Sequence, residues 1–217
     1  MPRGVFITFE GGEACGKTTQ IRLLQDRLRA MGRTVLAVRE PGGTPLGEKI
    51  RHLLKHDLDG NGMSPETELL LMNASRAELV RKVICPALDS GSVVLCDRFS
   101  DSTLAYQGGG RGLDPAMVRA VVRAATGTLW PDLTLWLRLS PDEAIRRLRE
   151  RKGEQGNLGD RFDDERSDFF ERVERAYEQL AREEPHRMIP VPAEGSPETV
   201  AGRIWRHVEV LCSGRTG

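Results

Sequence analysis

Eight consecutive residues, Gly11-Gly12-Glu13-Ala14-Cys15-Gly16-Lys17-Thr18, fit the pattern G-x-x-x-x-G-K-[ST] at every required position. A glycine-rich turn of this kind leaves backbone N–H groups pointing at one spot. A helix beginning there adds positive potential, so the stretch is suited to hold the phosphates of a nucleotide. Lys17 would reach the β- and γ-phosphates, and the Thr18 hydroxyl would sit on Mg2+. Arginines form the second group with chemical capacity: Arg39, Arg76, Arg98, Arg111, Arg149, Arg151 and Arg161 fall at strand ends and in loops. Their planar forks suit two phosphate oxygens at once, and their permanent charge can neutralise a phosphoryl group in transfer. No Ser-His or Cys-His pair is evident. His52 and His56 share a helical spacing, but they lack an acidic or cysteine partner in a recognisable motif and read as a solvated helix face.

Those groups need strands and helices to position them. Val5-Phe6-Ile7-Thr8-Phe9 precedes the glycine-rich turn and reads as a buried strand. After it, Ile21, Leu23, Leu24, Leu28 and Met31 recur at helical spacing until Gly32. Further strands are expected at Thr34 to Arg39, Val93 to Cys96, Leu133 to Leu139 and Ile189 to Val191. Ser64-Pro65 opens a long helix running to about Asp89. A polar loop is expected from Ser100 to Gly112, then a helix from Asp114-Pro115 to Ala125. Another helix is capped by Ser140-Pro141-Asp142-Glu143, a charged one follows from about Glu165 to Glu183, and a last one opens at Ser196-Pro197-Glu198. Alternating strands and helices predict an α/β doubly wound parallel five-stranded sheet flanked by helices. Right-handed crossovers then bring Glu10-Gly11, Arg39-Glu40, Asp97-Arg98 and the segment after Leu139 to one edge, where such sheets bind ligands. A charged, glycine-containing stretch, roughly 149–161, reads as a mobile lid.

At 217 residues the chain suits one domain over its whole length, 1–217, with one core. Lys+Arg and Asp+Glu balance at 32 each, so no overall field favours nucleic acid or an anionic membrane. No apolar run approaches the ~20 residues that span a bilayer. No signal-peptide pattern opens the chain, and the four cysteines form no C-x-x-C pair, so a cytoplasmic location with reduced thiols is expected. Cys15, beside a helix N-terminus, is expected to favour its thiolate and to be alkylated with loss of activity.

A glycine-rich phosphate loop alone does not choose among nucleotide chemistries, although the N-K-x-D base-reading motif expected of GTPases is not found. More specific blocks decide. Glu10-Gly11-x-Glu13-x-x-Gly16-Lys17-Thr18-Thr19, Arg39-Glu40-Pro41-Gly42-Gly43-Thr44, and Asp97-Arg98-Phe99 through Ser102-Thr103, Ala105-Tyr106-Gln107 to Gly112 resemble bacterial thymidylate kinases. Pro131 to Leu135, Asp160-Arg161-Phe162-Asp163 and Asp168-Phe169-Phe170 extend the resemblance over nearly the whole chain.

The resemblance implies a P-loop NTPase fold and Mg2+-dependent transfer of a phosphoryl group from ATP to dTMP, giving dTDP. Gly11, Gly12, Glu13, Ala14, Cys15, Gly16, Lys17, Thr18 and Thr19 would form the ATP loop, with Thr18 and Asp97 toward the metal. Arg98 would grip the acceptor phosphate, and Glu13 would accept a hydrogen bond from the deoxyribose 3′-OH. Arg76 would meet thymine O4, Thr103 and Gln107 would line the base pocket, and Tyr106 would crowd the sugar C2′. Arg39, Pro41 and Ser102 complete the acceptor set. Met72 stands where the family usually stacks a Phe on thymine, and a thioether can pack on a ring face. The lid would supply the catalytic cation, Arg151 being favoured over Arg149 and Lys152. The family also implies a homodimer, with the helix around Leu69–Ile84 at its interface. Two other readings are open: a kinase for another nucleoside monophosphate or deoxynucleoside, and a catalytically silent nucleotide-binding regulator.

Overall fold

Val5-Phe6-Ile7-Thr8-Phe9 is apolar along its length because both faces of the strand it forms are covered. In the computed structural model, which describes residues 3–55, 62–140, 143–144, 146–147, 150 and 167–213, every residue of β1 (Val5–Glu10) is buried. Its neighbours are β2 (Val35–Arg39), β3 (Val93–Asp97), β4 (Leu133–Arg138) and β5 (Met188–Pro192). The strands form one parallel sheet in the order β2-β3-β1-β4-β5. Side chains alternate across β1. Val5, Ile7 and Phe9 join Leu24 and Leu28 of α1 (Lys17–Ala30) with Ile204 and Val208 of the C-terminal helix. Phe6 faces the other way, into a cluster with Leu79, Ile84, Val94 and Phe99. This is the pattern of a central parallel strand with helices on both faces.

Register sets which residues share the functional edge. Phe9 and Arg39 both lie opposite Asp97, and Glu10 lies opposite Trp136. The loops leaving β1 and β3 therefore emerge side by side.

Among the described residues the other helices are α2 (Pro45–Lys55), α3 (Pro65–Leu79), α4 (Cys85–Asp89), α5 (Ser100–Thr103), α6 (Pro115–Thr126), α7 (Ser167–Glu183) and α8 (Pro197–Ser213), and the described residues of 143–150 are helical too. The expected long helix from Ser64 to Asp89 is α3 and α4 joined through a wide π-helical turn, Val80–Ile84. That turn sits just before Pro86, which has no N–H and whose ring does not fit a regular α-helical ladder. The Ser64 hydroxyl accepts from the Thr67 N–H at 3.2 Å and caps α3, the helix that carries Met72 and Arg76. Ser64→Ala is expected to cost about 1 kcal/mol, read as a melting temperature lower by about 2–4 °C.

Ser100 to Gly110, expected as loop, is helical: α5 continues into a π-helical segment, Leu104–Gly110. Two of its three glycines serve close packing instead of a turn. A Cβ on Gly109 would stand 2.6 Å from the Ala176 Cβ, and one on Gly110 2.5 Å from the Phe169 ring, both on α7. Apart from Glu150, the expected lid and its Arg149, Arg151, Lys152 and Arg161 lie outside the described residues, as does His56. Among the described residues no helix is long and apolar enough to cross a membrane, and no group of three or more metal-ligating side chains converges.

Candidate active site

The loop between β1 and α1 is bent by backbone that few residues adopt. Gly11 has φ 131°, and a Cβ there would lie 2.4 Å from the Leu137 carbonyl oxygen, so the position admits only glycine. Ala14 at φ 56° and Gly16 at φ 91° add two more left-handed positions between ordinary ones, the kind of alternation that turns successive N–H groups toward one concavity and cradles an anion. Lys17, buried at the first turn of α1, donates from Nζ to the carbonyls of Gly12 at 2.8 Å and Gly11 at 3.2 Å. Burial and Arg98 push its pKa down, but Cys15, Asp97 and Glu13 outweigh them, so the ammonium is held charged.

The Thr18 hydroxyl stands 3.4 Å from Asp97 Oδ2 at the end of β3. A hydroxyl and a carboxylate converging beside a phosphate cradle are a hard-oxygen set that fits a hydrated Mg2+. Cys15 departs from expectation. The residue is 2% exposed and packs in the core under the loop, with Sγ 3.6 Å from Lys17 Nζ, so its burial works against the alkylation expected of it.

Beside this cradle opens a cleft lined by Glu13, Pro41, Met72, Arg76, Arg98, Ser102, Thr103, Tyr106 and Gln107 from the expected acceptor set. Arg98 sits at its junction with the phosphate loop. Its backbone is left-handed, φ 67°, and its N–H donates to the Phe9 carbonyl at 2.9 Å. Nη2 donates to Glu13 Oε1 at 2.9 Å, Nη1 to the Ser102 hydroxyl at 3.3 Å, and the guanidinium lies 5.0 Å from the Tyr106 ring centroid. Burial alone would raise the Glu13 pKa, but Arg98, then Lys17 and Lys55, bring it down to about 2. Glu13 is therefore ionised at any working pH. The Arg98 pKa is raised despite its burial.

Arg76 lies deeper and is fully engaged. Nε and Nη2 meet Glu40 Oε2 at 2.8 and 2.7 Å, Nη1 donates to Asn73 Oδ1 at 2.7 Å and Thr103 Oγ1 at 2.9 Å, and Nη2 reaches the Phe99 carbonyl at 3.0 Å. Every nitrogen of its guanidinium has a partner. Burial raises the pKa of Glu40, and Arg76 opposes it. Gln107 donates to Glu68 Oε1 at 2.8 Å, and Glu68 also pairs with Arg111 at 2.9 Å. Arg39 is placed elsewhere: at the end of β2 it turns to solvent and pairs with Glu48 at 2.9 Å, away from the cleft lining.

Sequence reasoning did not assign Glu40 or Lys55, which line the cleft, nor Glu10 and Tyr177, which support it from behind. Glu40 stood in the Arg39-Glu40-Pro41 block at a strand end, a signal that could have found it. Lys55 ends α2 with no distinguishing neighbour.

Known proteins resemble the chain closely. The family model described as Thymidylate kinase matches residues 9–204. The chain is 52% identical over 205 residues to the thymidylate kinase of Synechococcus sp. (strain JA-2-3B'a(2-13)), covering 94% of each. It is 49% identical over 211 residues to the thymidylate kinase of Magnetococcus marinus, covering 95% of this chain and 96% of that one. Among solved structures, thymidylate kinase from Ehrlichia chaffeensis superposes with TM-score 0.77 at 31% identity, covering 95% of this chain and 100% of that chain.

Proposed function

The chain belongs to the thymidylate kinase family, and from that premise we propose how its residues carry out phosphoryl transfer. It is a phosphotransferase of the P-loop NTPase fold that uses ATP to convert dTMP to dTDP. The observation that carries the assignment of roles is the junction of two spaces at one sheet edge. The Lys17 cradle suits a nucleoside triphosphate, and the adjoining cleft presents Arg98 at its mouth and Arg76 at its floor.

A phosphate monoester dianion is already nucleophilic, so the site has to position and neutralise rather than deprotonate. Lys17 leaves the loop carbonyls for the donor's β- and γ-phosphates. Arg98 leaves Glu13 for the acceptor phosphate, which frees the Glu13 carboxylate to take the 3′-OH. Thr18 and Asp97 would hold Mg2+, which would offset the charge on the donor phosphates. Tyr106 packs against the sugar, and Met72, Thr103 and Gln107 surround the base. We assign the lid, 149–161, the closing of the site and Arg151 the cation that stabilises transfer, a residue outside those described.

The whole chain acts as one domain, a reading supported by a family match over 9–204. Leu70, 58% exposed on α3 beside buried Leu69, supports a homodimer formed through that helix. The balanced charge supports small-molecule partners rather than nucleic acid or membrane, and cysteines without a C-x-x-C pair support a cytoplasmic location.

Steady-state ADP formation with ATP and Mg2+ across dTMP, dUMP, UMP, dCMP, AMP and GMP tests the reading. dTMP is expected to lead. Another leading monophosphate would mean a reassigned base pocket, with Met72 the first position to change. Turnover of none would return the chain to the silent nucleotide-binding class.

A further inference from the structure

Glu10, the last residue of β1, is fully buried directly behind the acceptor cleft, and its carboxylate gathers three donors, two from the start of α5 and one from α7. Oε1 accepts from the Phe99 N–H at 2.8 Å. Oε2 accepts from the hydroxyls of Ser102 on α5, in a short bond, and of Tyr177 on α7 at 2.8 Å. Two of these contacts bear on Arg98. Phe99 follows it in the chain, so its anchored amide helps hold Arg98 at its left-handed φ. Ser102 is the hydroxyl to which Arg98 Nη1 donates.

A serine hydroxyl has one proton. While Glu10 is ionised, that proton points at the carboxylate and the Ser102 oxygen turns its lone pairs toward Arg98. Once Glu10 carries its own proton, Oε2 donates to one of the two hydroxyls, and where it donates to Ser102 the Ser102 proton must turn elsewhere, against the guanidinium or toward Tyr177.

We propose that Glu10 is a positioning residue for the acceptor: its ionised carboxylate orients the Ser102 hydroxyl and anchors the Phe99 amide, and so aims Arg98 at the acceptor phosphate. The charged and titratable groups around it are Asp101 on α5 (itself paired with Arg187 at 2.7 Å), Arg98 in the turn, Tyr177 on α7 and Cys96 on β3. Burial first and Asp101 second raise the Glu10 pKa to about 7, against Arg98, Ser102 and Tyr177, which lower it. The sign follows: Glu10 is ionised above that pH and supports Arg98 there, and the support is lost as pH falls through it.

The inference rests on Arg98 receiving the acceptor phosphate. The test is the pH dependence of kcat/KM for dTMP, from pH 5.5 to 9, in wild type, Glu10→Gln and Tyr177→Phe. The acceptor phosphate titrates near pH 6 in every variant, so the difference between profiles isolates Glu10. Glutamine imitates the protonated acid. At pH 8, Glu10→Gln is expected to lower kcat/KM for dTMP by about tenfold while the KM for ATP stays within about twofold, and the limb near pH 7 disappears. Tyr177→Phe removes one bond that favours the ionised form, so its limb moves to higher pH.

A Glu10→Gln profile parallel to wild type, or equal losses toward ATP and dTMP, overturns the proposal. So does a Tyr177→Phe limb left in place, and that variant decides alone should Glu10→Gln not fold. dTMP turnover by wild type with no difference profile rejects only the role of Glu10, whereas absence of dTMP turnover rejects the functional reading beneath it.

Discussion

Replacing Arg98 by alanine is expected to lower kcat/KM for dTMP by about three orders of magnitude, with a much smaller change in the KM for ATP. Two losses add. The acceptor phosphate loses the guanidinium placed at the mouth of its cleft, and Glu13 loses the partner that does most to hold its pKa down, leaving a carboxylate balanced only by Lys17 and Lys55 beside a dianion. Alanine keeps the Cβ that already sits at φ 67°, so the substitution adds no backbone strain, and the effect reports the side chain. Arg98→Lys is expected to recover only part, because an ammonium cannot hold two phosphate oxygens in one plane. Glu13→Gln in the Arg98→Ala background should recover about tenfold, since it removes the repulsion without restoring the grip. The check is steady-state kinetics with dTMP varied at saturating ATP, beside a melting curve for each variant. A double variant no better than Arg98→Ala would show that Glu13 does not repel the acceptor.

Much of this site is written in local patterns. β1 and β3 were readable because central parallel strands are continuous apolar runs, and the phosphate loop because its glycines and Lys17 recur at fixed spacing between a strand and a helix. Asp97-Arg98 was readable because it ends such a run. What was not legible depends on partners far away in the chain. Gly108-Gly109-Gly110 signals a turn as well as close packing, and only the placement of Ala176 and Phe169 against it decides for a helix. Glu10 adjoined the loop motif, but its role depends on Tyr177, contributed by α7. Arg39 stands in a specific block, but its neighbour Glu48, one turn into α2, takes it out of the cleft. Strand-end position tells which edge a residue occupies and leaves open which way its side chain turns.

Arg76 shows the same limit at the largest energetic stake, and its removal is expected to be costly to the fold itself. Arg76 and Glu40 are only 3% and 4% exposed as side chains, and breaking a buried pair by deleting one partner typically costs about 3–5 kcal/mol. Arg76→Ala is therefore expected to lower the melting temperature by roughly 10 °C. Burial already raises the Glu40 pKa, and loss of Arg76 removes what opposes it. A carboxyl with a raised native pKa destabilises the fold as pH rises above its unfolded value, so the loss at pH 8 should exceed that at pH 5. Arg76→Met with Glu40→Gln removes both charges and should recover most of the stability, but its KM for dTMP should stay high. That split separates the two duties of the residue: a double variant with both stability and dTMP affinity restored would show that Arg76 serves the fold and does not read the base. With every guanidinium nitrogen already engaged, Arg76 meets thymine only by releasing or sharing a partner. Thr103, which lines the cleft and accepts from Arg76 through a neutral hydroxyl, is the partner that yields at least cost.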